Sequence, residues 1–299
     1  MKPQLLKIHR WITLAFAIPL TVVILSGLLL SIEPILQDRA LSGRTVSLDA
    51  VEAALKRHDP GGKANSLTMR AWEGTMSLGR GGPRVAIADA AEVAPDRVLW
   101  SDVLTTARRM HETLLLDLGW LVTASTVAMT ISMVLGVMMG LPYMRNTLGG
   151  WHRVTAWALL PLLFLSTLTG LAIAWGITFA TAPTAARGAP VPLAEAVRIV
   201  ARSHDLASVV WIRPQGGALR ARIYDGREAR VFTVTRDGLV AQPRNWPQAL
   251  HEGNWAGAIS GGLNVIVSLA FALLMATGLL IWGRRSLRRR RRGSVAAAA

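Results

Sequence analysis

Residues 11–32 read WITLAFAIPLTVVILSGLLLSI and contain no charged side chain. An α-helix needs about 20 mainly apolar residues to cross the ~30 Å hydrocarbon core of a bilayer. Residues 118–144, 154–183 and 255–283 form three further apolar runs that are long enough. One such run could be a buried core helix, but four together predict a membrane protein with four transmembrane helices.

The composition excludes several other classes of protein. Of the 299 residues, 52% are hydrophobic and only 17% are charged, against about 25% charged in soluble domains. The first run is longer than the ~7–15 residues of a signal-peptide core, and no small-residue cleavage site follows it, so we expect a retained helix. The chain has no cysteine, which excludes disulfides, iron–sulfur clusters, thiolate catalysis and covalent c-type haem.

The distribution of basic residues predicts the orientation in the membrane. Seven arginines crowd residues 284–292, three basic residues precede the first run, and two arginines lie in the link 145–153. None of the 18 acidic residues falls in these places. Positive charge near helix ends stays in the cytoplasm, so both termini and this link are predicted to be cytoplasmic. A basic tail can indicate nucleic-acid binding, but beside a membrane helix we expect contact with anionic lipid and no nucleic acid.

Two segments between the runs are therefore predicted to lie outside, in the periplasm of a bacterium. Each begins with an amphipathic helix, at residues 47–58 and 192–204. Strand-like runs with glycine turns follow, at residues 84–88 in the first segment and 209–212, 218–224 and 229–234 in the second. We interpret the segments as two copies of a small α+β domain.

The membrane runs repeat in the same way. His9-Arg10 and His152-Arg153 open the first and third runs, and a glycine follows each histidine by 18 residues. His111-Glu112 and His251-Glu252 precede the second and fourth. The predicted fold is an all-α four-helix membrane bundle with two α+β periplasmic domains and an internal duplication. Its predicted segments are 1–32 (N-terminus and first helix), 33–110 (first external domain), 111–144 (second helix), 145–153 (cytoplasmic link), 154–183 (third helix), 184–250 (second external domain), 251–283 (fourth helix) and 284–299 (basic tail).

The six histidines divide into two groups. His58 and His204 end the external helices, where a histidine caps the last carbonyls and interacts favourably with the helix dipole. The other four stand at the starts of the four membrane helices: His9, His111, His152 and His251. A single histidine there would be an interfacial side chain, but four in matching contexts favour ligands.

The topology pairs these four histidines as His9 with His152 on the cytoplasmic face and His111 with His251 on the outer face. Two facing imidazoles suit a haem iron with both axial positions filled, and hence electron transfer. Zinc prefers about four ligands. Glu112 and Glu252 could add carboxylates outside, but the cytoplasmic face has no acid. The sequence therefore favours haem over zinc.

The residues at the helix starts resemble those of the PepSY-associated transmembrane family. They are His9-Arg10-Trp11, Met110-His111, Trp151-His152-Arg153 and Leu250-His251-Glu252-Gly253. That family includes inner-membrane reductases of ferric siderophores. The resemblance implies PepSY-like external domains and haem b, two per chain, held by His9, His111, His152 and His251.

Two functions are expected from this pattern. The first is an oxidoreductase that takes electrons from a quinol or a cytoplasmic flavoprotein and reduces a periplasmic acceptor, a ferric siderophore in particular. No acid/base or nucleophile constellation is present, so no catalytic side chain is predicted. Arginines and Trp72, Trp100, Trp211 and Trp246 suit an anionic or aromatic chelate, although each Trp more often belongs to a domain core. The alternative is a non-enzymatic PepSY protein that regulates a peptidase or assists a siderophore transporter.

The charge pattern predicts the outcome of reporter fusions. An alkaline phosphatase joined after Gly62 should be active, because that position is expected to be periplasmic. The same enzyme joined to the C-terminus should be inactive, because the arginines hold the tail in the cytoplasm. Phosphatase activity of both fusions, normalised to expression, measures this, and the reverse pattern would overturn the pairing of the histidines.

Overall fold

The structure is a computed structural model that describes residues 2–79, 81–94, 96–141, 144–181 and 191–297. The side chains of the last helix are described up to residue 288. Two predicted features lie partly outside these ranges. One is the junction of the third apolar run with the second external segment, at residues 182–190. The other is the set of arginine side chains at 289–292.

Helices form most of the described chain. They are α1 (Lys2–Ala15), α2 (Ala17–Leu30), α3 (Glu33–Gly43), α4 (Leu48–His58), α5 (Trp100–Thr113), α6 (Gly119–Met138), α7 (Leu148–Ala158), α8 (Leu160–Ala174), α9 (Leu193–Ala201), α10 (Trp246–Glu252) and α11 (Ala258–Ala297). The strands are β1 (Leu67–Arg70), β2 (Thr75–Leu78), β3 (Arg84–Ala86), β4 (Val209–Gln215), β5 (Ala218–Asp225), β6 (Glu228–Thr235) and β7 (Gly238–Ala241). A 3-10 turn, Leu206–Ser208, precedes β4.

The chain divides into two compact units, each made from both halves of the sequence. The membrane unit comprises Met1–Ser31, Thr106–Ile177 and Leu263–Ala299. The sheet unit comprises Ile32–Thr105 and Thr178–Gly262.

The apolar helices agree with a membrane protein. Among the described residues, three helices are long and apolar enough to cross a bilayer: Ala17–Gly43, Gly119–Met138 and Ala258–Arg288. The pair α7 and α8 meets the same condition as one span bent by 67°. The chain therefore has three candidate spans, or four if the bent pair counts as one.

Breaks precede two of the apolar helices. Helix α1 ends just before Phe16, and α7 ends just before Leu159. Pro161 lies in the first turn of α8 and Pro19 in the first turn of α2. Proline has no N–H and is tolerated in a first helical turn, but it disrupts a helix that would run through it. The sequence therefore encodes both breaks.

The interior of the membrane unit is small. Its buried cluster joins Leu20 and Ile24 of α2, Leu163 of α8, and Val267 and Phe271 of α11. Partly buried methionines of α6 pack against this cluster, namely Met129 and Met133. Large apolar side chains elsewhere on these helices are exposed, as lipid-facing positions are: Ile18, Leu25, Leu168, Ile131, Leu273 and Leu280.

The sheet unit contains one continuous antiparallel sheet. Its strand order is β3-β2-β1-β4-β5-β6-β7 over the described residues. Strand β1 from the first segment pairs with β4 from the second, with Leu67 opposite Ile212 and Thr68 opposite Trp211. The sequence predicted two separate α+β domains, but the two segments instead share one sheet.

One apolar core lies beneath this sheet. Helices α4 and α9 contribute matching buried faces, with Val51 and Leu55 from α4 and Val197 and Val200 from α9. Leu67 and Ile212 face the same core and are fully buried. The predicted amphipathic helices are both present, and Ser47 caps α4 as an N-cap serine does, accepting a bond from the Ala50 N–H.

Candidate functional site

Each of the four helix-start histidines lies on a short helix that precedes a long apolar one. His9 lies on α1, His111 on α5, His152 on α7 and His251 on α10. The next helix starts eight residues after His9, His111 and His152, and seven residues after His251. The predicted boundaries at 111 and 251 therefore shift, because both histidines end a separate preceding helix and the apolar helix starts later.

Two of these imidazoles donate to the backbone of another membrane helix. His9 Nδ1 lies 2.9 Å from the carbonyl oxygen of Ser132 in α6. His111 Nδ1 lies 2.9 Å from the carbonyl oxygen of Val23 in α2. A carbonyl oxygen can only accept a hydrogen bond. Nδ1 therefore carries the proton in both rings.

His152 adopts the same arrangement through a hydroxyl group. Its Nδ1 lies 2.8 Å from Oγ1 of Thr277 in α11. Thr277 Oγ1 already donates its single proton to the carbonyl of Leu273 at 2.7 Å. The hydroxyl must therefore accept from His152, and Nδ1 again carries the proton.

The three rings thus share one tautomer, in which Nδ1 carries the proton and Nε2 does not. Nε2 can bind a metal, while the Nδ1–H bond fixes the ring orientation and raises its basicity. The acceptors were not predicted from the sequence. Backbone carbonyls carry no sequence signal, and Thr277 resembles any other helix-packing hydroxyl.

The other two histidines bond differently. His58 uses Nε2 to donate to the carbonyl of Ala90 at 2.8 Å. His204 bonds through Nδ1 to the hydroxyl of adjacent Ser203 at 2.9 Å, and its ring packs 5.7 Å from that of Phe232. Both belong to the sheet unit. These bonds do not cap the ends of α4 and α9 as the sequence predicted, because His58 reaches a carbonyl outside α4 and His204 bonds a hydroxyl.

Two glycines lie where an imidazole packs against a helix. A Cβ added to Gly27 would lie 3.1 Å from His111 Cε1 and 3.3 Å from its Nδ1. A Cβ on Gly278 would lie 3.7 Å from His152 Cε1. The two distances at Gly27 are shorter than ordinary van der Waals contacts. A side chain at position 27 would therefore crowd the His111 ring, and glycine leaves room for it.

His9 and His152 lie close enough for their charges to interact. Both belong to the membrane unit. The predicted pairing of His111 with His251 stays a prediction. Within the described residues, no group of three or more His, Cys, Asp or Glu side chains could hold a metal ion.

Buried polar atoms without partners lie beside His9. Among the described side chains, Ser132 Oγ and Arg10 Nε are buried and make no hydrogen bond. Ser132 also supplies the carbonyl that fixes His9, and Arg10 is its chain neighbour. A buried polar atom without a partner is costly, so both atoms suit a site that is completed by a bound polar group.

Glu252 is already engaged in the sheet unit. It accepts from Arg222 Nη2 at 2.7 Å and from Asn254 Nδ2 at 2.6 Å. Burial lowers the pKa of Arg222, but the attraction and hydrogen bond of Glu252 outweigh it, so the pKa of Arg222 is raised overall. This carboxylate therefore anchors the helix that carries His251 and is not available as a zinc ligand.

A strained link follows His111. Leu114, Leu115 and Asp117 adopt left-handed backbone conformations, with φ of 53°, 64° and 54°. Such conformations are uncommon outside glycine and concentrate at functional sites. The link ends α5 just after His111 and starts α6 at Gly119.

Comparison with known proteins supplies a family match. The model of the PepSY-associated TM region matches residues 6–285, almost the whole chain. A comparison with curated proteins found no match. The family match confirms the resemblance carried by the helix-start histidines.

Replacing Gly27 tests the packing of His111. Gly27→Leu should lower the thermal unfolding midpoint of the detergent-solubilised protein, because the new side chain displaces the ring and breaks its bond to Val23. Overpacking of this kind costs about 1–3 kcal/mol.

The matched control is Gly136→Leu. A Cβ at Gly136 meets nothing within 4 Å, and an interior helix glycine is intrinsically unfavourable. This variant should unfold at the wild-type temperature or higher. Equal midpoints for the two variants would contradict the packing of His111 on Gly27.

Proposed function

We propose that this chain, which belongs to the PepSY-associated transmembrane family, is a b-type haem oxidoreductase of the bacterial inner membrane. It passes electrons to a periplasmic acceptor, an iron chelate of the ferric siderophore class. The observation that carries the proposal is the shared state of His9, His111 and His152. Each donates from Nδ1 to another membrane helix, so Nε2 is the unprotonated nitrogen, the form in which an imidazole binds a metal.

Four side chains would hold the cofactor. His9 and His152 would hold one haem at the cytoplasmic face, and His111 and His251 would hold the other at the outer face. Two b-type haems, when bound, would supply reversible one-electron chemistry. The donor set suits them, because paired neutral imidazoles satisfy haem iron and too few ligands are present for zinc.

The protein's own contribution is to orient these ligands and exclude water. The bonds from His9 to Ser132, from His111 to Val23 and from His152 to Thr277 hold each ring to a second helix. A held ring loses little freedom when it binds iron, which strengthens binding. The apolar cluster around Leu20 and Phe271 keeps water out, and the low dielectric strengthens every polar contact there.

The orientation follows from the basic residues. The N-terminus and the arginine-rich tail lie in the cytoplasm, so the group that His9 and His152 would hold could accept electrons from a quinol or a cytoplasmic flavoprotein. The sheet unit then lies in the periplasm, and His251, on α10 of that unit, stands on the acceptor side.

Haem stoichiometry tests the ligand assignment. The purified protein should be red and contain about two non-covalent b-type haems per chain. His9→Ala and His152→Ala should each remove one haem, since removing either member of a pair leaves the iron five-coordinate and weakly held. His111→Ala and His251→Ala should remove the other. The measurement is the pyridine haemochrome content per mole of protein.

The controls are His58→Ala and His204→Ala, whose rings bond locally in the sheet unit. Both variants should retain the full haem content. Undiminished haem in any of the four ligand variants would remove that residue from the set. A colourless wild-type protein would defeat the haem proposal and favour a regulatory PepSY protein.

Reoxidation kinetics test the acceptor. Dithionite-reduced protein in proteoliposomes should be reoxidised rapidly by a ferric siderophore added only outside. His111→Ala should block electron delivery to that acceptor from an internal reductant, because it removes the outer site. Stopped-flow absorbance at the Soret band follows the reaction. Reoxidation no faster than in buffer, across several ferric chelates, would defeat the reductase proposal even with both haems bound.

A further inference from the structure

The face of the sheet opposite α4 and α9 carries a polar cleft. Alternation along the strands sends Leu67, Met69 and Ile212 into the core and the intervening side chains to the other face. The cleft on that face has a volume of about 1200 Å³. Among the residues that the structure describes, three arginines from both halves of the chain line it: Arg70 of β1, Arg84 of β3 and Arg213 of β4.

Two of these arginines have no carboxylate bonded to them. Arg70 makes one long bond, from Nη1 to Ser77 Oγ at 3.3 Å. Arg213 stacks on the Trp211 ring, with its Cζ 4.1 Å from the ring centroid. Burial, the largest effect, lowers the pKa of the Arg70 guanidinium, and Glu73 only partly offsets it. Burial and the nearby charge of Arg222 both lower the pKa of Arg213.

The third arginine is already neutralised. Arg84 makes two bonds to the Asp102 carboxylate, at 2.9 and 2.5 Å. That pair fixes the start of α5 against β3 and forms one wall of the cleft. Glu92, which is exposed, is the other acid in the lining.

The described lining therefore carries more positive than negative charge, because Asp102 is bound by Arg84 and the remaining acid, Glu92, is exposed. An arginine does not lose its proton at any ordinary pH. A bound anion would offset the cost of the partial burial of Arg70 and would meet the exposed guanidinium of Arg213. Guanidinium groups bind carboxylates and phosphates through paired N–H bonds. Hydroxyls of Ser66, Thr68 and Ser77 add further donors along the lining.

We propose that this cleft is a binding site for a soluble polyanion with at least two carboxylate or phosphate groups, held by Arg70 and Arg213. The volume exceeds the ~300–1,000 Å³ of ordinary small-molecule sites, which favours a bulky ligand over a single small ion. The site exists because β1 and β4 are neighbours, so neither half of the chain could form it alone. It does not depend on haem, and where the electron-transfer function holds, an anionic iron chelate is the matching occupant.

The test measures binding without redox chemistry. Full-length protein in detergent is titrated calorimetrically with citrate, pyrophosphate and gallium(III) citrate, a chelate that does not take up electrons under these conditions. At least one should bind saturably, and binding should weaken as salt rises. Arg70→Gln and Arg213→Gln should each weaken it about tenfold or more, as expected for loss of bonds to a charged group. Arg70→Lys and Arg213→Lys should weaken binding less than the glutamine variants but should not reach the wild-type affinity, because lysine keeps the charge and lacks the planar fork.

Two further variants make the charge argument specific. Glu92→Gln should tighten binding, because it removes a negative charge from the lining. Arg236→Gln removes a positive charge from an exposed turn between β6 and β7 and should leave affinity unchanged. Equal weakening by Arg236→Gln and Arg70→Gln would mean only general charge attraction, and would overturn the site.

Nanodiscs distinguish a lipid headgroup from a soluble anion as the ligand of the cleft. If citrate and pyrophosphate fail to bind in detergent while phosphatidylglycerol nanodiscs protect the arginines from modification, the occupant is a lipid headgroup and the soluble ligand is wrong. No binding by any probe overturns the proposal. Either result leaves the haem measurements untouched, and loss of haem leaves this titration unaffected.

Discussion

Helix packing in the membrane unit depends on one constraint, which is that the N–H of an imidazole shielded from water has to donate a hydrogen bond to an acceptor. In a bilayer no water is available to take that proton, and an unsatisfied polar group costs several kcal/mol. His9, His111 and His152 each meet the need on a different helix, through Ser132 and Val23 carbonyls and the Thr277 hydroxyl. The same bonds therefore fix helix packing, ring orientation and tautomer together.

This coupling explains the short helices that carry the histidines. A helix whose histidine bonds to a second helix cannot continue in the direction of the apolar helix that follows it. The breaks at Phe16 and Leu159 provide that change of direction, and proline in the next turn enforces them. Gly27 completes the fit by leaving room for the His111 ring. The packing of these helices and the orientation of the rings are thus fixed by the same contacts.

Much of this organisation was predictable because its signals are local. Apolar runs, the helical periodicity of residues 47–58 and 192–204, and the four helix-start histidines are read within a few turns of chain. The amphipathic helix α5 was missed, although the burial of Leu104 and Ala107 three residues apart has a visible periodicity.

The shared sheet was not predictable on the same grounds. Strands β1 and β2 have only four residues each, too few for a clear alternation. The pairing of Leu67 with Ile212 joins positions far apart in sequence, and no local pattern records such a partner. The repeat itself suggested two separate modules. Each half, however, exposes a strand edge that would be open to aggregation, and pairing β1 with β4 covers one edge from each half.

The division into units also explains the charge of the chain. Of the 33 basic and 18 acidic residues, 19 and 16 belong to the sheet unit. There, opposite charges pair at close range, as in Arg84–Asp102, Arg222–Glu252 and Arg244–Glu228. The membrane unit keeps 14 basic residues against two acids, so nearly all of the +15 net charge lies at helix ends. Arginines paired within a folded sheet say little about topology, whereas basic residues beside apolar helices indicate how a chain is oriented in the membrane. Within the sheet unit, Arg70 and Arg213 differ from Arg84, because Asp102 binds Arg84 and no carboxylate is bonded to the other two lining arginines.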